Sequence, residues 1–163
     1  MSSKRFPLFL DLTGRRAVVL GGGTVGLRRA EILSRFGAEV TVISPRLSRK
    51  LDGIRHIPRA YQEGDLDGAF LAVAAANDPS VNAAAGREAH KSGIFFNRSD
   101  RPEECDFFFP AICEGGGVIA GVVGDGSDHR RTAAAAKRIR ETLQVLPDGQ
   151  AATRSTKGER EAQ

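Results

Sequence analysis

Apolar residues in this chain come in short blocks, each closed by glycine, proline or a charged residue, and blocks of strand length alternate with longer helical stretches. Ala17-Val18-Val19-Leu20 is a continuous apolar run of strand length that stops at a glycine cluster. A helix is predicted from Thr24 to Phe36, and Gly37 supplies its stop. Glu39 to Ser44 follows as a strand, with Val40, Val42 and Ile43 giving the β-branched content of a buried parallel strand. A third strand is expected at Ile54 to Ile57, ended by Pro58, and Ala69 to Ala76 is long and apolar enough for a central strand. Asn77-Asp78-Pro79 reads as an N-cap with proline in the first turn, opening a helix to about His90. Ser92-Gly93 breaks that helix, and Ile94 to Asn97 is the next strand. Strands and helices in alternation, joined by short connections, predict an α/β fold: a Rossmann-like, doubly wound parallel sheet.

After residue 100 the pattern changes. Phe107 to Ile112 and Val118 to Val123 are two strand-like runs joined by Glu114-Gly115-Gly116-Gly117, a hairpin. The loop 124–128 leads into a helix from about His129 to Leu143 that carries Arg130, Arg131, Lys137, Arg138 and Arg140. Pro147-Asp148-Gly149 stops it, and Gln150 to Gln163 has no large apolar side chain. The expected organisation is a nucleotide-binding domain over 1–112, a hairpin-plus-helix segment over 113–147 and a disordered tail over 148–163.

The chemistry starts where the first strand ends. Gly21-Gly22-Gly23-Thr24-Val25-Gly26 places a G-x-G-x-x-G turn between a strand and a helix, the order a dinucleotide pyrophosphate requires. Gly21 permits the tight turn, Gly23 lets backbone approach phosphate, and Gly26 lets the helix pack closely on the strand. The free N–H groups at the helix start then face the anion. Many NAD sites end the second strand in an acid that grips the ribose; here Ser44-Pro45-Arg46 stands there instead. Ser44 can bond the ribose, and Arg46 either favours a 2′-phosphate or is a solvated loop charge, so NAD and NADP both stay open. Ligand in such a sheet lies beyond the C-terminal strand ends, where Asn97-Arg98-Ser99-Asp100-Arg101-Pro102 falls. Asp100 is the carboxylate best placed to face a nicotinamide, or else a turn residue ahead of Pro102. Asp106 is a second candidate or a strand-start residue. His129 is a base or a helix cap, and His56 and His90 read as surface residues.

Composition narrows the partners. The 163 residues are 40% hydrophobic and 27% charged, ordinary for a globular protein, and no apolar stretch approaches a membrane span of ~20 residues. Lys4-Arg5 and the short run Phe6 to Leu10 end at Asp11 without a cleavage pattern, so no secretory leader is expected. Cys105 and Cys113 make neither a disulfide framework nor a metal-ligand pair; both read as small core residues in a reducing cytoplasm, and no metal site is expected. The net charge of +4 draws anions, but no basic block with interleaved aromatics points to nucleic acid. A phosphate or polycarboxylate ligand fits better.

Several motifs in order carry a resemblance. Phe6-Pro7-Leu8-Phe9-Leu10-Asp11-Leu12 with Gly14-Arg15, the glycine turn, Gly37 to Val42, Asp67 to Leu71, Ala75 to Pro79 with Asn82, and Asn97 to Asp100 followed by Cys105-Asp106-Phe107 and Phe109-Pro110-Ala111 resemble the precorrin-2 dehydrogenases, the N-terminal module of sirohaem synthases. The resemblance runs from about Phe6 to Leu146. It implies NAD-dependent oxidation of precorrin-2 to sirohydrochlorin, with Asp100 at the position of the aspartate essential for dehydrogenation. It implies nucleotide contacts at Gly23, Thr24, Val25, Ser44, Pro45 and Arg46, with Ala76 or Asn77 nearby, and a homodimer formed through the segment after the nucleotide domain. Some members insert ferrous iron into the product, which makes iron a further partner the resemblance allows. The substrate is a polycarboxylate, so Arg98, Arg101, Arg130 and Arg131 become candidates for binding it. The chain departs from the family at Val122-Val123-Gly124, where members often carry a Ser-Ser pair, and no fused methyltransferase is expected. Two rival readings are a non-catalytic dinucleotide-sensing module and a tetrapyrrole chelatase or carrier without redox function.

Overall fold

Five parallel strands in the order β3-β2-β1-β4-β5 form the main sheet of this computed structural model, which describes residues 5–147. They are β1 (Arg16–Leu20), β2 (Glu39–Ile43), β3 (Arg55–Ile57), β4 (Leu71–Ala74) and β5 (Phe95–Arg98). Ala17 to Leu20 and Leu71 to Ala74 are buried throughout, which is why these segments read as continuous apolar runs rather than alternating ones. Helix α1 (Thr24–Arg35) joins β1 to β2, and α2 (Pro79–Lys91) joins β4 to β5. The two connections run outward from the centre in opposite directions, so right-handed crossovers lay the helices on opposite faces of the sheet. Val18, Leu20, Ile43, Ala74, Ala85, Ala89 and Phe96 belong to the buried core between sheet and helix. Residue Leu20 pairs with Ile43 on one side and Ala74 on the other, so three strands end side by side. The order in which the chain adds strands to the sheet reverses between β1 and β4, and in such sheets the ligand crevice opens there.

The sequence-predicted elements of this sheet are present, with ends displaced by a few residues. Phe36 caps α1 rather than continuing it, and the expected strand over 69–76 shortens to Leu71–Ala74, freeing Ala75 and Ala76 for the loop. A short 3-10 turn, Pro102–Glu104, follows β5.

The chain divides into two compact units, 6–108 and a second that includes 109–147. The second holds an antiparallel pair, β6 (Ala111–Gly115) with β7 (Val118–Val122), and helix α3 (His129–Gln144). The hairpin differs from expectation: its first strand begins at Ala111, and its turn is the two residues Gly116-Gly117. Both have positive φ, +54° and +74°, the geometry of a tight hairpin whose twist matches its strands. That turn pairs Gly115 with Val118 and Ala111 with Val122, leaving 107–110 outside the ladder. Cys113, Ala136 and Leu143 form its small core. The tail expected over 148–163 lies outside the described residues.

Candidate functional site

The turn after β1 is built by close approach of backbones. Gly21 has φ +109°, and its N–H donates to the Ile43 carbonyl at 3.0 Å. A Cβ at Gly21 would stand 2.3 Å from the Ala75 carbonyl oxygen, so glycine lets the ends of β1 and β4 run together. Gly22 is buried, and a Cβ there would lie 2.0 Å from the Arg46 carbonyl oxygen and 2.5 Å from Ser44 Oγ. The Ser44 hydroxyl donates to that same Arg46 carbonyl at 2.8 Å, and Ser48 N–H donates to the Gly22 carbonyl at 2.8 Å. A Cβ at Gly26 would meet the Gly21 carbonyl oxygen at 2.2 Å, so the first turn of α1 is packed against the glycine loop itself.

Gly23 is different. A Cβ at this position would meet no protein atom within 4 Å. Gly23 is the N-cap of α1 and has no side chain to satisfy the amides of the first turn, whereas Asp78 caps α2 and Asp128 caps α3. Thr24 and Val25 are exposed beside it. The start of α1 therefore combines unclaimed amide donors, the positive end of a helix and empty space, a combination that fits a pyrophosphate.

Ser44 is buried and spends its proton on the turn, so the expected ribose contact there is limited to its remaining lone pairs. Pro45 and Arg46 are exposed at its rim. His56, read as a surface residue, is half-buried with Nε2 2.9 Å from the Ser44 carbonyl.

On the other side of the turn, the carboxamide of Asn82 grips Ala76 twice. Its Oδ1 accepts from Ala76 N–H and its Nδ2 donates to the Ala76 carbonyl, both at 3.0 Å. The same Nδ2 donates to Asp100 Oδ1 at 3.2 Å. Asn82 is 1% exposed and sits on the inner face of α2, which the Asp78 side chain caps by accepting from Ser80 N–H at 2.8 Å. One buried amide thus ties the segment beside the glycine turn to the candidate acid. Asn82 was visible in sequence only as part of a family pattern; nothing in its spacing announced a double backbone grip.

Asp100 lies just past β5, with its side chain 35% exposed. Oδ1 accepts from Arg98 Nε at 3.0 Å and Oδ2 from Arg98 Nη2 at 3.1 Å. The guanidinium holds this carboxyl below the usual aspartate range; burial works against that, and Asn82 adds to it. Asp100 is therefore an ionised acceptor at neutral pH.

Arg98 requires a correction. Its side chain is 5% exposed, and besides Asp100 it donates to Glu104 Oε2 at 2.6 Å and to the Pro79 carbonyl at 3.2 Å. A guanidinium enclosed by three acceptors of its own chain is not a free hand for substrate. Arg101 is exposed, 3.8 Å from Glu103 and 3.9 Å from Glu104. Arg130 and Arg131 are exposed in the first turn of α3, in the second unit, where Asp128 accepts from both of their backbone N–H groups. His129 stands in that turn as the first helical residue, and Asp128 is the cap.

Asp106 turns out to be a structural carboxylate: it accepts from Phe96 N–H at 2.9 Å while its own N–H donates to the Phe96 carbonyl at 2.8 Å. Cys105 accepts from Arg98 N–H at 3.1 Å, and burial pushes its thiol up, away from thiolate reactivity. Cys113 is fully buried. Among the described residues, no group of three His, Cys, Asp or Glu side chains could hold a metal ion, and no helix is long and apolar enough to cross a membrane.

Comparison with known proteins bears on this geometry. A family model described as "Putative NAD(P)-binding" matches residues 8–111. A siroheme synthase of Azotobacter vinelandii is 40% identical over 126 residues, covering 74% of this chain and 27% of that protein. A siroheme synthase of Methylobacillus flagellatus is 38% identical over 127 residues, with the same two coverages, 74% and 27%. The chain thus spans little more than a quarter of the length of these curated relatives. Among solved structures, SirC, a precorrin-2 dehydrogenase, superposes with a TM-score of 0.72 at 26% identity, over 85% of this chain and 71% of that one. The glycine turn, the open start of α1 and the strand order all lie within the matched residues, and the chain belongs to this NAD(P)-binding family.

Proposed function

We propose that the chain is an NAD-dependent dehydrogenase that oxidises precorrin-2 to sirohydrochlorin. The observation that carries the proposal is the physical link between its two halves. The uncapped, unobstructed start of α1 can take a dinucleotide pyrophosphate, and Asn82 joins the Ala76 backbone beside that turn to the carboxylate of Asp100. The siroheme synthase relatives and the SirC likeness support the choice of substrate.

In this reading the amides of Gly23, Thr24 and Val25 bind the pyrophosphate, while Gly21 and Gly26 shape the loop that presents them. Ser44, Pro45 and Arg46 border the ribose, and Ala76 and Asn77 border the nicotinamide side. NAD, when bound, supplies the hydride acceptor. Asp100 takes the proton that leaves the macrocycle as the hydride departs, and Oδ2 receives it, because Oδ1 already accepts from both Asn82 and Arg98. Arg101, Arg130 and Arg131 are the proposed contacts for substrate carboxylates. Arg98 instead holds Asp100. The working assembly is proposed to be a homodimer in the cytoplasm, with residues 1–112 carrying the nucleotide and 113–147 the dimer and substrate contacts. Iron insertion is a separate reaction, assayed by supplying ferrous iron with sirohydrochlorin in the absence of NAD.

The test is direct. Freshly made precorrin-2 with NAD should yield NADH and the sirohydrochlorin spectrum in step, and Asp100→Asn should bind NAD normally while losing about 100-fold or more of the turnover. Calorimetric NAD binding without any tetrapyrrole binding would overturn the proposal in favour of a nucleotide sensor.

A further inference from the structure

The guanidinium of Arg98 serves two carboxylates at once. Its Nη1 meets Glu104 Oε2 at 2.6 Å, while Nε and Nη2 meet Asp100 at 3.0 and 3.1 Å. Nη2 also donates to the Pro79 carbonyl at the start of α2, so the cation is fixed from three directions. The shorter bond goes to the carboxylate that has no role in the proposed reaction. Two acids share one buried cation, and the cluster carries one net negative charge.

That arrangement answers a difficulty. A carboxylate paired alone with a bidentate arginine is ionised and inert, because the guanidinium stabilises the charged form it must give up on accepting a proton. A second carboxylate drawing on the same guanidinium weakens that hold and repels the charge on the first. We infer that Glu104 is a positioning residue for the reaction: through the shared Arg98 guanidinium it keeps Asp100 fixed in place yet basic enough to receive the proton. The inference rests on the reading of Asp100 as the proton acceptor. The groups that touch Asp100 are Arg98 from β5 and the uncharged Asn82 from α2; Glu104 stands behind Arg98 on the 3-10 turn, with Arg101 and Glu103 beyond it at 3.8 to 3.9 Å from their nearest partners.

The sign follows from the charges. Removing the Glu104 charge leaves Arg98 wholly to Asp100 and lowers the pH at which Asp100 titrates. Removing the Arg98 charge takes away the cation the two carboxylates share and raises it. The experiment reads the Asp100 carboxyl by 13C NMR in aspartate-labelled protein, assigned with Asp100→Asn, alongside the pH profile of kcat. Glu104→Gln should shift the titration and the acidic limb of kcat to lower pH, reduce the plateau by about fivefold, and leave KM unchanged. Arg98→Gln should move the titration the opposite way. Glu103→Gln removes the same charge from an exposed neighbour and should move neither.

Glu104 is itself 41% exposed, so its glutamine variant keeps the fold even if Arg98→Gln does not. A titration of Asp100 that stays put in folded Glu104→Gln overturns the inference while leaving the dehydrogenase intact. Turnover that survives Asp100→Asn overturns both. A moved titration in a protein that never oxidises precorrin-2 overturns the function and leaves only the electrostatic coupling.

Discussion

At the scale of single residues, the two glycines Gly22 and Gly23 show how one motif contains two different demands. A side chain at Gly22 collides with the Arg46 carbonyl at 2.0 Å, so this glycine serves the protein's own turn. One at Gly23 collides with nothing, and its φ of −80° and ψ of 177° suit any residue, so nothing in the protein's own packing demands glycine there. Gly23→Ala should therefore leave the melting temperature unchanged and weaken NAD binding by about tenfold or more, read by calorimetry. Gly22→Ala should lower the melting temperature, because backbone must move to admit the methyl group. Equal stability losses in both variants would remove the distinction. The sequence motif made Gly21, Gly23 and Gly26 legible but treated Gly22 as a free position, since spacing cannot see the neighbouring Ser44–Arg46 turn. Arg98 was illegible for a related reason. Flanked by Asn97 and Ser99 in a polar segment, it read as a cation for binding substrate carboxylates, yet β5 ends with its side chain turned inward onto Asp100, Glu104 and Pro79.

Among the elements, helix α2 does more for the site than its length suggests. Its Asp78 cap and Pro79 were plain in the sequence and fix where it starts. Its first inward-facing polar residue, Asn82, then makes the grip on Ala76 and the bond to Asp100. Asn82→Ala leaves the Ala76 N–H and carbonyl to find water in a half-buried setting, at a cost of about 2 kcal/mol in unfolding free energy. It should also lower kcat with precorrin-2 while NAD affinity changes little, because the α1 amides remain in place. Denaturant titration and steady-state kinetics check the two halves separately, and an Asn82→Ala protein as stable as the parent would show that the grip contributes nothing. Strands of the main sheet were legible because burial on both faces demands unbroken apolar runs. The hairpin was legible as a pair of strands but not in its register, which is set by Gly116 and Gly117 at positive φ, whereas the apolar run 107–112 suggested a first strand four residues too early.

For the whole molecule, the chain divides between Phe108 and Phe109 into two compact units. Unit 6–108 has its own core, its own five-stranded sheet and every contact that fixes Asp100, including the Arg98, Glu104 and Asn82 bonds and the Asp106 bridge to Phe96. The remainder closes a separate small core around Cys113, Ala136 and Leu143. A unit with its own core is expected to fold alone. A fragment ending at Phe108 should therefore unfold in one cooperative step and bind NAD within a few-fold of the full chain. It should also oxidise precorrin-2 far more slowly, because Arg130 and Arg131 and the proposed dimer contacts lie in the part removed. If the slow rate reflects lost carboxylate recognition, saturating precorrin-2 should recover part of it, and the KM of the full chain should rise with salt while that of the fragment rises less. A fragment that fails to bind NAD despite cooperative unfolding would overturn the proposal that residues 6–108 suffice to hold the nucleotide.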